Sequence, residues 1–420
     1  MSKYVKKEDK GFIDKTADEV RELAKGDAFC ILPWIHMHPW PNGKTMLCCD
    51  SPWEHNIGDL RENSLEEVWN SERMKQIRLN MLNGKKCKEC VRCYEKEDGI
   101  MIKNVRSFYL KYAEALKHPG DFSECVSNFF TEDAKINVVH PFNEINGSND
   151  YLFNFLLPLQ NSFMGLFRRD DIFMFGEFEG EEWISSTGYY VGHFAKDWIG
   201  LSATKKLSYI RYGEFHRIEN EQAVESYIYI DIPELMIASN QWPLDMGPGH
   251  SRGYTGLIQG PASRDGVLIQ ASDPIECHLS YQIVTNMLDK LATKDEAWRP
   301  YWHENMVWYG PGAFGSFVGV NEFASFQVPF ESQFEGWSGG TKNNGFTKHF
   351  TRFGDGNYTC SGGWPSLTGV NVKPFLGQGP SFERVFMRVC DWWRRENELL
   401  VENWVFVDVP HAVSYTHLRA

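Results

Sequence analysis

Arg211-Tyr212-Gly213-Glu214-Phe215-His216-Arg217-Ile218-Glu219-Asn220-Glu221-Gln222-Ala223-Val224-Glu225-Ser226-Tyr227 and Arg388-Val389-Cys390-Asp391-Trp392-Trp393-Arg394-Arg395-Glu396-Asn397-Glu398-Leu399-Leu400-Val401-Glu402-Asn403-Trp404 are two versions of one stretch. The offset between them is constant at 177 (388 − 211, 402 − 225), and Asp231-Ile232-Pro233 returns as Asp408-Val409-Pro410 at the same offset. Upstream, Phe130-Thr131-Glu132 answers Trp302-His303-Glu304, and Gly147 to Pro158 with Phe163 answers Gly319 to Pro329 with Phe334. There the offset is near 172 (302 − 130), so a few loop residues were gained in between. A repeat of this length is a duplicated domain, and the fold must be one that a single copy can close.

Each copy runs amphipathic helices first and period-two strands afterwards. Val105 to Leu116 and Pro119 to Phe130 read as helices, Ser148 or Asn149 starts another, and strands follow from about Phe173 to Ile232. Helices gathered against a curved antiparallel sheet make an α+β fold with one large concavity. The expected organisation is a segment at 1–104, a first copy at 105–244, a Gly-, Pro- and Ser-rich linker at 245–272 and a second copy at 273–412.

This arrangement resembles the tandem SnoaL-like proteins of the nuclear transport factor 2-like superfamily. The likeness is strongest over Trp308-Tyr309-Gly310-Pro311, Gly356-Asn357-Tyr358, Gly363-Trp364-Pro365 and Met387 to Pro410. It implies two cone-shaped curved sheets, each with covering helices and an apolar small-molecule ligand, and no cofactor in either. It further implies ring closure of a polyketide-like carbonyl compound by intramolecular aldol chemistry, with an aspartate as acid and base. Fold alone does not establish an activity, and a tandem pocket that only binds its ligand is the alternative.

Alternation assigns the strand faces: Val385, Met387, Val389, Asp391 and Trp393 point one way, and Arg384, Arg388, Cys390, Trp392 and Arg394 the other. Asp391 is the one carboxylate on an otherwise apolar face, a costly placement unless the group has a role or a cation such as Arg388 or Arg394 holds it. A turn centred on Glu396-Asn397 sets Asp391 opposite Glu402, which shares its face with Trp404 and Phe406. Two opposed carboxyls cannot both ionise cheaply, which suits proton transfer. Asp391 and Glu402 are therefore the expected catalytic pair. Trp393 and Trp404 are expected around them, with Tyr309, His349, Trp364 and His303 as further candidates for the lining. Glu214 and Glu225 hold the matching places in the first copy, a second pocket or a scaffold.

Six of the ten cysteines precede residue 94. Cys30 begins a pattern with Gly43 and Cys48, and Cys87, Cys90 and Cys93 close it at two-residue spacing. Thiolates from distant loops closed by a tight triplet suit a cuboidal iron–sulfur cluster, while tetrahedral zinc uses similar pairs. Phe29-Cys30 through Trp34, Gly43-x4-Cys48, Ile57-Gly58-Asp59-Leu60 and Ser64-Leu65-Glu66-Glu67-Val68-Trp69 resemble the SPASM or twitch segment of radical S-adenosylmethionine proteins. That resemblance implies an auxiliary 4Fe-4S cluster held by Cys30, Cys48, Cys87, Cys90 and Cys93, with Cys49 the alternative to Cys48. The cysteine triplet of the radical core occurs nowhere in the chain, so an iron–sulfur accessory role is a further alternative.

A net charge of −13 argues against a nucleic-acid surface. The charged start lacks an apolar signal core, and the most apolar run, Tyr151 to Phe167, is interrupted by Asn154, Pro158, Gln160 and Asn161. A soluble, cytoplasmic protein is expected, with a hydrophobic small-molecule ligand, no nucleic acid, no membrane, and a homodimer compatible with the fold. Val413 to Ala420 resembles a translated sequencing adapter and is expected to be a non-native tail. The change of character near Lys103 is either a fusion or a faulty gene join.

Overall fold

The computed structural model describes residues 29–93, 106, 109–110, 112–113, 122–250, 259–291, 295–339, 341 and 345–415. The chain divides into two compact units between Asn104 and Val105.

In the first unit β1 (His38–Pro39), β2 (Lys44–Met46) and β3 (Gly58–Asp59) form a small antiparallel sheet, preceded by α1 (Leu32–Ile35). Two helices follow, α2 (Leu65–Trp69) and α3 (Glu72–Leu82). Ser64 starts α2 through a reciprocal capping box: its hydroxyl accepts from the Glu67 backbone N–H and Glu67 accepts from the Ser64 N–H. Trp34, Leu47, Ile57, Val68, Met74, Ile77 and Met81 pack into one core with Cys87 and Cys90, and Cys30 lies against it.

The second unit is α+β, as the sequence indicates. Its first sheet has the order β5-β4-β9-β8-β7-β6. The strands are β4 (Phe130–Val138), β5 (Asn143–Asn146), β6 (Phe163–Phe178), β7 (Glu181–Phe194), β8 (Leu207–Glu219) and β9 (Gln222–Ile230). Helix α4 (Phe122–Phe129) precedes β4, α5 (Ser148–Tyr151) and α6 (Leu157–Ser162) precede β6, and α7 (Ile232–Ala238) ends the copy. Most of the helix expected over Val105 to Leu116, and Pro119 to Asp121, lie outside the described residues, although Tyr109 and Tyr112 are buried.

The second sheet repeats the pattern as β11-β10-β16-β15-β14-β12, with β13 also on β14. Its elements are α8 (Pro274–Leu291), β10 (Trp302–Tyr309), β11 (Ser316–Val318), α9 (Val320–Glu331), β12 (Phe334–Gly339), β13 (His349–Asp355), β14 (Tyr358–Asn371), β15 (Arg384–Glu396), β16 (Leu399–Val407) and α10 (Val409–Ser414). In each sheet one neighbouring pair is parallel, β4 with β9 and β10 with β16, and the rest are antiparallel. The linker is partly structured: Phe173 on β6 exchanges backbone hydrogen bonds with Gly266 and Leu268.

The two copies pack sheet face on sheet face, and repeat-equivalent residues meet at the seam. Phe215 stacks on its counterpart Trp392 at 4.9 Å, and the Trp392 indole N–H donates to Ser185. Gly213 makes room, since a Cβ there would lie 2.5 Å from the Trp392 ring. Asp231, the N-cap of α7, accepts the Gly312 backbone N–H at 2.8 Å. Asp408, the N-cap of α10, accepts that of His140 at 2.9 Å. Each copy thus clamps the other with the same residue, the reciprocity of a two-fold interface within one chain.

The structure corrects the expected hairpin register. The β15–β16 turn is Asn397-Glu398, between paired Glu396 and Leu399, with Asn397 at φ 54°. A bulge between Arg394 and Arg395 shifts the ladder again. Asp391 therefore faces Val405, and Glu402 faces Arg394. The displacement is odd (405 − 402), so Glu402, Trp404 and Phe406 fall on the opposite side of the sheet from Asp391.

Candidate functional site

The concave side of the second sheet encloses a cavity of about 100 Å³. Trp302, Trp308, Phe323, Phe326, Phe330 and Trp337 form most of its wall, with Val389, Trp393 and Val405 from the hairpin. The polar lining is sparse: Gln327, His349, Ser361, Ser366, Asp391 and Asn403. Alternation along β15 carries Asp391 and Trp393 into this cavity, and the bulge in β13 lets His349 and Arg352 share the same side.

Asp391 is opposite Ser361 on β14 and Val405 on β16. Its Oδ1 accepts a long hydrogen bond from Asn403 Nδ2 at 3.4 Å, and among the described residues it forms no ion pair. Burial pushes its carboxyl up to about 7, while Asn403 and the more distant Arg352 and Arg211 pull the other way. Arg352 donates to Ser361 Oγ at 3.3 Å. His349 shares a 2.9 Å hydrogen bond with Ser366, and burial, with Arg352 nearby, pushes its ring down to about 4. At neutral pH the site holds a neutral imidazole and a carboxyl poised between its two forms.

The remaining expected residues lie elsewhere. Glu402 is bound by Arg394 at 2.5 Å and accepts from Tyr309 at 3.1 Å and from the Ala262 N–H. Trp404 stacks on Tyr309 at 5.3 Å, outside the cavity. Trp364 lies at the seam against Tyr227 and Tyr229, with the Arg388 guanidinium 4.1 Å from its ring. His303 accepts from its neighbour Asn305 and stays outside. Glu225 pairs with Arg217 and Tyr227, as Glu402 pairs with Arg394 in the second copy.

Glu214 occupies the position of Asp391 in the first copy, but its surroundings are closed. Arg168 pairs with it at 2.5 Å, Tyr109 donates to it at 2.6 Å, and His216 is 3.5 Å away. Arg168 also binds Asp170 at 2.8 Å and lies 4.1 Å from the Tyr212 ring. Burial opposes ionisation of Glu214, but Arg168 and His216 outweigh it and hold the carboxyl far below the usual range. Asn403, Ser361, Arg352 and Arg168 escaped the sequence reading. Asn403 and Ser361 follow from alternation once the register is right, whereas nothing local marks Arg168.

Five of the six cysteines of the first unit, Cys30, Cys48, Cys87, Cys90 and Cys93, offer an all-sulfur donor set, and the sixth, Cys49, is exposed. Cys87 and Cys90 are buried in its core, Cys48 is buried with Sγ 3.6 Å from Ser51 Oγ, and Cys30 and Cys93 are half-buried. The Cys87 thiol points at the carbonyls of Ile77 and Lys85, each 3.7 Å away, and burial pushes its pKa up. Among the described residues no three potential ligands converge. The donors match a thiolate-bound cluster in kind, and Cys30, Cys87 and Cys90 border one core.

The chain thus joins a cysteine-rich module to a duplicated α+β pocket fold. Residues 30–94 match SPASM, an iron–sulfur cluster-binding domain. Similar solved structures include a SnoaL-like polyketide cyclase from Jannaschia sp. CCS1 at 15% identity, covering 36% of this chain and 99% of that one with a TM-score of 0.31. Others are the polyketide cyclase IdmH from Streptomyces antibioticus (14%, 32% and 97%, TM-score 0.28) and an NTF2-like protein from Burkholderia xenovorans LB400 (13%, 34% and 98%, TM-score 0.27). No curated protein matches the chain. No helix among the described residues is long and apolar enough to cross a membrane.

Proposed function

We propose that the second copy is an acid/base cyclase site for a compact apolar carbonyl compound, with Asp391 as the proton carrier and the first copy as its scaffold. The observation that carries this reading is the contrast between Asp391, unpaired on an apolar cavity wall, and its counterpart Glu214, locked by Arg168. Ionised Asp391 takes the proton from the carbon beside a carbonyl. The resulting enolate carbon bonds to the second carbonyl carbon of the same molecule, and the alkoxide that forms takes the proton back from Asp391. The cycle needs no co-reactant. Asn403 Nδ2 orients the carboxylate, and the aromatic walls exclude water.

An apolar cavity near 150 Å³ holds a benzene ring, so one of about 100 Å³ admits a ring only if a wall side chain turns. That observation favours a second reading, a pocket that binds without turnover. Deuterium exchange separates the two. The protein should exchange the acidic C–H of a small apolar 1,3-diketone, and Asp391→Asn should lower that rate by about 100-fold or more. Equal exchange in both proteins would leave a binding pocket.

The cysteine-rich unit is proposed to carry a 4Fe-4S cluster on Cys30, Cys48, Cys87, Cys90 and Cys93, with zinc as the alternative occupant. When bound, such a cluster supplies one-electron redox chemistry.

A further inference from the structure

A second, larger cleft of about 820 Å³ opens between the copies, outside both cones. Its floor is the outer face of the first sheet, where Leu207 and Tyr209 are half exposed at 52% and 48%. Helix α7 contributes Glu234 and Ile237, and the linker closes one side. Glycines bring the parts together: a Cβ on Gly312 would meet the Glu234 backbone at 2.5 Å, and one on Gly260 would meet Asp171 at 3.0 Å.

The charge balance here differs from its repeat equivalent. In the second copy Arg388 pairs with Asp408 at 3.0 Å, and the residue matching Glu234 (411 − 234 = 177) is His411, whose ring burial pushes down to about 4. One cation meets one anion, and the third group is neutral. In the first copy Arg211 serves two acids, Asp231 at 3.8 Å and Glu234. Among the described residues Glu234 Oε2 has no hydrogen-bond partner. Its carboxyl is pushed up to about 8 by burial and then by the charge of Asp231. Tyr189, which burial with Glu234 and Asp171 nearby keeps protonated, stands beside it, and Arg169 lies over the Tyr189 ring while paired with Asp171. His250, on the linker, bonds the Gly312 carbonyl and faces Asp231. Arg264 also lines the cleft. Among the described residues Arg211 is the one arginine set between the two acids Asp231 and Glu234, with His250 facing Asp231 alone.

We propose that this cleft binds a protonated organic amine with an apolar or aromatic body, its ammonium on Glu234 and its body on the Tyr209 and Leu207 floor. The ammonium supplies a positive charge beside Glu234, so Glu234 gives up its proton as the ligand enters. Affinity should therefore rise with pH up to about 8 and level off above it.

The test is calorimetric titration of the full chain with phenethylamine at pH 7, in two buffers of different ionisation heat. Release of close to one proton per amine bound is expected, with 2-phenylethanol, which lacks the charge, binding at least tenfold more weakly. Glu234→Gln should abolish the proton release and weaken the amine at least tenfold, as loss of a charge-assisted hydrogen bond does. Tyr209→Ala, at an exposed position that leaves the fold intact, should weaken it several-fold. Equal affinity for amine and alcohol, proton release persisting in Glu234→Gln, or unchanged affinity in Tyr209→Ala would each overturn the proposal, as would no binding at millimolar phenethylamine. An amine bound instead at Asp391 would show itself by persistent release in Glu234→Gln.

Discussion

Replacing Asp391 by Asn should change how stability depends on pH more than it changes stability itself. The carboxyl moves from 3.8 when unfolded to about 7 in the fold, because it is buried with, among the described residues, one long hydrogen bond from Asn403. Ionising it in place costs roughly 4 kcal/mol at about 1.4 kcal/mol per pH unit. The group is raised, so its contribution is intact below pH 4 and is lost as pH climbs through 7. Of that total, about 3 kcal/mol falls between pH 5 and 8.5. Asn cannot ionise and removes this dependence while keeping an oxygen for Asn403. Urea unfolding followed by tryptophan fluorescence, repeated across that range, should show Asp391→Asn gaining on the wild type by about 3 kcal/mol. His349, Glu234 and His411 titrate in both proteins and cancel in the difference. Parallel stability curves would refute the reasoning, because they would mean Asp391 meets water or a cation in solution.

In the first copy, Arg168→Met should cost about 3–5 kcal/mol, because it leaves Glu214 buried and unpaired; an unfolding midpoint within error of wild type would contradict the locked pair. Gly213→Val should lower stability by about 1–3 kcal/mol by driving a methyl into the Trp392 ring, read from the thermal midpoint, and no shift would show that the seam is looser than the structure has it. Anaerobically purified protein should be brown and contain iron. Cys87, Cys90 and Cys93 together changed to Ala should remove the colour and expose the first unit to protease, since cluster binding and loop folding are coupled; zinc without iron would choose the other occupant.

The sequence carried the architecture because both of its signals are local or periodic. The 177-residue offset exposed the duplication, and alternation along Val385 to Trp393 put Asp391 and Trp393 on the cavity side, where the structure has them. Register was the point of failure. A turn one residue later than read, with a bulge beside it, moved Glu402 by an odd number of residues to the other face, and Trp404 went with it. Neither feature has a strong signature, since Glu396-Asn397-Glu398 offers two plausible turn centres. Trp364 was misplaced for another reason: in a duplicated fold the outer sheet face is also aromatic, because it buries against the other copy, and Tyr309 lies on that outer side against Trp404. Aromatic richness therefore marked two surfaces, and only one lines a cavity. The lock on Glu214 was illegible because Arg168 lies 46 residues away in sequence.

The two copies keep one framework and differ in the polar contacts made inside it. The outer framework is held in common: Arg217–Glu225 repeats as Arg394–Glu402, and Asp231 and Asp408 make the same reciprocal clamp. The interiors differ at matched positions. Glu214 reaches Arg168 and Tyr109, and the aromatic rings of Tyr112, Phe129, Phe130 and Tyr151 close around His216 and one another. Asp391 is one methylene shorter, has Asn403 in place of Ser226 and Trp393 in place of His216, and stands off from Arg352, which turns to Ser361. A buried ion pair of this kind contributes little net stability but leaves no group free to change protonation. An unpaired carboxyl costs stability and keeps that freedom. Among the described residues, the first copy thus holds its carboxyl in an ion pair, and the second sets the matching carboxyl on a cavity wall without one.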